Sequence, residues 1–179
     1  MGTLFVDNLK HQSAQGSGTI TIGASGEKVD LGTGVSGGTL TNTPAFRVYK
    51  NANQSIANST FTKVTFQVED YDTDNAFASD KFTVPSGKAG KYAFQYGGWF
   101  GGAVDNKVIA FRLYKNGSAL NRTYTQSTIS TGHVPVVNGV SSLDLAVGDY
   151  VELYIIQDTG SSQDLNAAYT RFEGHRLIG

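Results

Sequence analysis

Cysteine is absent from this 179-residue chain. That excludes disulfide staples, thiolate metal sites and cysteine nucleophiles outright. Secreted animal domains of this size often carry disulfides, so the absence favours synthesis in a reducing cytosol. Charge is scarce too: Asp, Glu, Lys and Arg make up 16% of the residues and the net charge is −1. A nucleic-acid footprint needs clustered Lys and Arg to displace phosphate counterions, and a lipid-surface contact needs a polybasic stretch. The sequence has neither, and no apolar run is long enough to span a bilayer, so neither nucleic-acid binding nor membrane insertion is expected. The opening MGTLFVDNLKHQ lacks a basic region followed by an apolar stretch, which speaks against a Sec signal, and its Met-Gly is not followed by the Ser or Thr of a myristoylation motif. Aromatic residues are missing from one part only: before Thr43 the sole example is Phe5.

That last absence divides the chain at Thr43-Pro44 into an N-terminal segment, 1–43, and a head, 44–179. The first is Gly, Ser and Thr with short alternating pairs such as Thr19-Ile20-Thr21-Ile22 and Lys28-Val29-Asp30-Leu31, separated by turn clusters such as Gly23-Ala24-Ser25-Gly26. Burying one such apolar side chain stabilises by roughly 1.5–3 kcal/mol. Ordering each residue costs roughly 1–2 kcal/mol. Alone, the segment is either a disordered linker or an unfinished structure. The Thr-Ile-Thr-Ile alternation, which a flexible linker does not need, favours an extended β-stalk in which three copies wrap together and Ile20, Ile22, Val29 and Leu31 meet on a shared axis.

The head reads as strands throughout. Ala45 to Tyr49 opens it, and Asn51 to Ser59 reads as a loop. Phe61 to Val68 alternates with Val64, Phe66 and Val68 on one face, and Glu69 to Asp80 is acidic and irregular. Lys81 to Val84 is a short strand stopped by Pro85. Lys91 to Tyr96 puts Tyr92, Phe94 and Tyr96 on one face, and Gly97, Gly98, Gly101 and Gly102 around Trp99-Phe100 suggest a bulge or bend. Lys107 to Tyr114 places Ile109, Phe111 and Leu113 together, and Asn116-Gly117 is a hairpin turn. Further strands are expected in 122–130, 134–147, 150–156 and 167–178. Eight or more short antiparallel strands point to an all-β sandwich or jelly roll. The strands at 107–114 and 150–156 are apolar on both faces. Either loops or a neighbouring subunit must cover the second face, and a subunit contact through Tyr114, Tyr150 and Tyr154 is the expectation.

Catalytic signatures are sparse. His11, His133 and His175 are far apart, no serine sits in a Gly-x-Ser-x-Gly elbow, and no carboxylate pair can be assigned. Asp70, Asp72 and Asp74 have the spacing of a calcium loop, but Asn75 stands where glycine is required, Lys81 where a bidentate glutamate is required, and no helices flank them. A solvated acidic loop is the preferred reading. Trp99 is a candidate for stacking on a sugar ring, although a glycine-flanked aromatic more often packs at a bend. No enzyme activity and no cofactor are expected.

Several runs taken in series carry a resemblance. Lys81-Phe82-Thr83-Val84-Pro85 with Gly87, Gly90, Tyr92 and Phe94 resembles the "KFT-P-x-x-G-x-Y-x-F" core of the complement C1q globular head. Leu113 to Gly117 is similar to its "L-x-K-N-G" hairpin, and Leu143-Asp144-Leu145 with Gly148-Asp149-Tyr150-Val151 to its "L-x-L-x-x-G-D-x-V" segment. Pro44-Ala45-Phe46 and Phe172-Glu173-Gly174 match its opening and closing strands. The resemblance implies a ten-strand jelly roll of the tumour-necrosis-factor type, assembled as a homotrimer. In place of the collagen repeat stands the stalk, whose residues Thr3 to Gly26 resemble the opening "T-L-x-V-D" and "T-I-T-I-G-A-S-G" patterns of tailed-bacteriophage virion proteins. Together these imply a non-enzymatic trimer on the virion surface, made in the host cytoplasm and docked on other virion proteins through its stalk. A capsid decoration protein is expected first. A short tail fibre or receptor-binding knob facing a host glycan or protein comes next, and a soluble lectin-like module third.

Overall fold

Side chains that alternate between apolar and polar suit strands with one buried face. The computed structural model of the chain, which describes residues 42–100, 106–129, 132–133 and 135–177, is made of such strands. The stalk positions Ile20, Ile22, Val29 and Leu31 lie outside the described residues. In chain order the strands are β1 (Ala45–Tyr49), β2 (Gln54–Ile56), β3 (Thr62–Lys63), β4 (Val68–Asp72), β5 (Phe77–Ala78), β6 (Lys81–Thr83) and β7 (Gly90–Trp99). There follow β8 (Val108–Lys115), β9 (Ser118–Ala119), β10 (Thr125–Thr128), β11 (Val136–Leu145), β12 (Tyr150–Gln157), β13 (Gln163–Leu165) and β14 (Arg171–Arg176). Single 3-10 turns at Asn121–Thr123 and Ala167–Tyr169 lead into β10 and β14.

Two sheets face each other. One has the order β11-β7-β14-β1-β4; the other runs β10-β8-β12-β6-β5, with β3 added on β12 and β9 on β8. The small pair β2 and β13 forms a third, two-stranded sheet whose Ile56 and Leu165 belong to the same core. The first strand pairs with the last, Phe46 opposite Gly174 and Val48 opposite Phe172, so the head closes on itself.

The core lies between the sheets. Phe46, Tyr92, Phe94 and Phe172 enter from the five-stranded sheet, and Phe82, Phe111, Leu113 and Leu153 from the other, all within 1% of full burial. Phe46 is at the centre, its ring 5.0 Å from Phe77 and 5.1 Å from Phe82, both stacked, and edge-on to Phe172 at 5.0 Å. Offset and edge-on pairs of this kind add roughly 0.5–1.5 kcal/mol each beyond area burial. Gly174 makes this packing possible: a Cβ there would sit 2.7 Å from the Phe94 ring and 2.8 Å from that of Phe46.

Several boundaries differ from the sequence reading. The alternating run Phe61 to Val68 is not one strand: only Thr62–Lys63 pairs, and Val68 begins β4. Between them, side chains take over part of the ladder. Thr65 N donates to Gln54 Oε1 and Phe66 N to Asp80 Oδ1, while the flanking amides of Val64 and Gln67 donate to Leu153 O of β12 and Tyr49 O of β1. The acidic stretch holds β4 and β5, and the Asn-rich loop holds β2. At Gly97 and Gly98 there is no bulge: β7 continues through them in unbroken register with β11, while Gly101 and Gly102 lie outside the described residues. A Cβ on Gly97 would meet Asn138 Oδ1 at 2.3 Å, and one on Gly98 would meet Thr170 Oγ1 at 2.7 Å. Close approach of neighbouring side chains, not turning, is why glycine stands there.

Candidate functional site

Pairing registers place the side chains on the outward face of the five-stranded sheet in rows. Val136 lies opposite Trp99; Asn138, Gly97, Arg171 and Tyr49 form the next row; Val140, Gln95, Glu173, Arg47 and Tyr71 form the third. The third row is held by charge at its centre. Glu173 lies 3.7 Å from Arg47 and 3.6 Å from Arg171, and Arg47 also reaches Asp70 at 3.4 Å. Apolar groups surround this centre and are open: Val140 is 73% exposed, Tyr169 61%, Val136 56% and Tyr71 46%. Trp99 meets Tyr169 edge-on at 5.0 Å, and both line a depression of about 620 Å³ shared with Arg47, Tyr49 and Arg171. Trp99, a sugar-stacking candidate from sequence, therefore has its ring engaged by a tyrosine of its own chain.

The outward face of the other sheet is different. Tyr114 and Tyr154 stack with ring centroids 3.9 Å apart, and Phe61 leans on Tyr114 at 6.2 Å. Lys63 Nζ donates to Glu152 Oε1 at 2.8 Å, and Lys81 lies over the Tyr150 ring at 4.6 Å. Burial first, then the charge of Glu152, pushes the Tyr154 phenol up. Tyr114, Tyr150 and Tyr154 thus sit where alternation placed them, on the second face of β8 and β12, and their half-burial comes from neighbours in the same chain. The Arg112 guanidinium lies near two rings, 4.6 Å from Phe61 and 4.8 Å from Tyr124. No sequence signal marks this cluster, because its parts come from strands and loops far apart in the chain.

The three aspartates with calcium-loop spacing are not brought together as ligands. Asp70 pairs with Arg47, Asp72 accepts from the amides of Ala76 and Phe77, and Asp74 accepts from Thr73 and faces Lys88 at 3.7 Å. Among the described residues no group of metal-ligating side chains assembles. His175 is on the outward face of β14, paired with Ala45 on one side and Ala93 on the other.

No family model and no curated protein matches the chain. Solved structures do. The globular domain of zebrafish complement 1qA protein superposes with a TM-score of 0.57 at 24% identity, over 75% of this chain and 98% of that one. Murine APRIL gives 0.56 at 13% identity, over 74% of this chain and 98% of its own. Eiger TNF from S. frugiperda gives 0.52 at 12%, covering 75% and 92%. At these identities the likeness is one of fold, and the described head has the jelly-roll fold shared by complement C1q and tumour-necrosis-factor domains.

Proposed function

We propose that the chain is a non-enzymatic, homotrimeric structural protein of a tailed-phage virion: a capsid decoration protein docked by its N-terminal stalk, residues 1–43, with its jelly-roll head projecting. The observation that carries the trimer is the outward face of the five-stranded sheet. Val136 and Val140 stand open on the edge strand β11, with Tyr49, Tyr71 and Tyr169 further across the same side. Open apolar groups of this kind, grouped on one side around a charged centre, fit contact with another protein surface. A contact that joins the β11 edge of one copy to the β1 and β4 side of the next is heterologous, and three copies close it into a ring. The virion placement rests on the resemblance of Thr3 to Gly26 to tailed-phage virion proteins and on the two-part composition of the chain.

The test is the mass of the full-length protein by size-exclusion chromatography with light scattering. Three chains per particle are expected. Val136→Asp with Val140→Asp should yield single chains, while Tyr154→Asp should leave the trimer intact. A wild-type monomer, or a trimer indifferent to both valine changes, would remove the reading. Images of the native particle then separate a decoration protein, present in many copies over the shell, from a tail fibre present in few.

A further inference from the structure

The open face of the seven-stranded sheet holds a second feature that the subunit contact leaves unused. Arg112 projects outward from β8, beside Tyr154 of β12 in the pairing register. Its guanidinium lies 4.6 Å from the centre of the Phe61 ring and 4.8 Å from that of Tyr124. Two aromatic rings at this distance attract the cation and restrict where it can move. Nε is sealed from solvent and has no acceptor. Among the described residues no carboxylate pairs with Arg112, whereas the exposed-face cations Arg47, Lys63, Lys115 and Arg171 each have one. The terminal nitrogens, which are not sealed, make no hydrogen bond within the described chain. Tyr124 flanks the guanidinium, Tyr154 faces Arg112 across the strand pair and stacks on Tyr114, and the hydroxyls of these three tyrosines make no hydrogen bond among the described residues.

We propose that Arg112 anchors a binding site for an acidic saccharide, its fork receiving the sugar carboxylate and the hydroxyls of Tyr114, Tyr124 and Tyr154 meeting the sugar hydroxyls. The class follows from the chemistry present. A planar guanidinium fork matches a carboxylate bidentately, and one already flanked by two rings has less freedom to lose on binding. A polyphosphate or nucleic acid calls for several free cations, and the neighbouring Lys63 is already neutralised by Glu152. Aromatic side chains with free polar tips suit sugars, which present both C–H faces and hydroxyls. The site is on the sheet opposite the proposed subunit face, so it is open in a monomer and in that trimer alike.

The test uses the full chain and a set of oligosaccharides: a uronate oligomer, a sialylated oligosaccharide, the same uronate oligomer with its carboxyls reduced to alcohols, and a sulfated sugar. Binding is followed by titration calorimetry. The carboxylated sugars should bind and the carboxyl-reduced one should not. Arg112→Lys, which keeps the charge but loses the fork, should weaken binding by about tenfold or more. Tyr154→Phe, which removes one hydroxyl and keeps the stack, should weaken it by a smaller factor at unchanged thermal midpoint. It supplies a readout even if Arg112→Lys fails to fold. No binding of any carboxylated sugar, equal binding of the carboxyl-reduced oligomer, tighter binding of the sulfated sugar, or an Arg112→Lys protein that binds like wild type would each overturn the proposal.

Discussion

Lys50 is 3% exposed and has no ion pair among the described residues; its ammonium donates to Thr65 O at 2.7 Å and, at 3.2 Å each, to Gln54 Oε1 and Thr65 Oγ1. Burial, partly offset by the charge of Asp80, lowers its pKa from 10.5. Folding therefore favours the neutral amine. This group opposes stability fully below its lowered pKa, and the opposition fades as pH climbs from there towards 10.5. Lys50→Met should cost about 1–3 kcal/mol in urea unfolding at neutral pH, because Thr65 O loses its donor. The gap to wild type should widen as pH is raised. At Gly139 the constraint is space: a Cβ would lie 2.3 Å from the Tyr96 ring, whose hydroxyl is held by Thr123 O at 2.6 Å. Gly139→Ala should cost about 1–3 kcal/mol by forcing that ring aside, seen as a lower thermal midpoint.

At the scale of elements, two turns far apart in sequence make one corner. Asn116 begins the turn between β8 and β9, and Asp149 ends the one between β11 and β12. Asn116 Nδ2 donates to Asp149 Oδ1 at 2.7 Å, Tyr150 N donates to Asn116 Oδ1 at 2.9 Å, and Ala146 N donates to Asp149 Oδ2 at 2.8 Å. Lys115 adds an ion pair at 2.7 Å. The hydrogen bond from Lys115, then those from Asn116 and the Ala146 amide, hold the Asp149 carboxyl at about 2, below its usual 3.8. A depressed carboxylate contributes stability that is complete above 3.8 and is lost as pH falls towards 2. Acid titration followed by circular dichroism should show a steeper loss for wild type than for Asp149→Asn across that window. Equal slopes would mean that the corner contributes nothing to acid stability. The "L-x-K-N-G" and "G-D-x-V" motifs therefore have a shared physical reason: each supplies half of this network.

For the whole molecule, the question is which outward face meets another chain. The seven-stranded sheet covers much of its own second face with Phe61, Lys63 and Lys81, whereas the five-stranded sheet leaves valines and tyrosines open. A trimer built on the latter keeps the Arg112 side turned outward, so assembly and ligand contact use opposite surfaces. The stalk carries a separate expectation. Ile20→Asp with Ile22→Asp should lower trimer yield on size-exclusion chromatography or abolish binding to the native particle. Unaltered trimers that still decorate particles would remove the stalk from assembly.

From alternation, a local property of the chain, the sequence alone determined strands at 45–49, 107–114 and 150–156, which the structure has at 45–49, 108–115 and 150–157, and the inward sets Tyr92, Phe94, Tyr96 and Ile109, Phe111, Leu113. The choice of jelly roll over another sandwich came from the motif resemblance. Alternation also placed Tyr114, Tyr150 and Tyr154 on an outward face. What covers that face, why β7 continues through Gly97 and Gly98, and where Asp70, Asp72 and Asp74 turn were decided only by tertiary structure. Each depends on a partner remote in sequence: Phe61 and Lys63 on the tyrosines, Asn138 and Thr170 at the glycines, Arg47 and Lys88 at the aspartates. A period of two residues says which side chains share a face, and only the closed sandwich says what stands across from them.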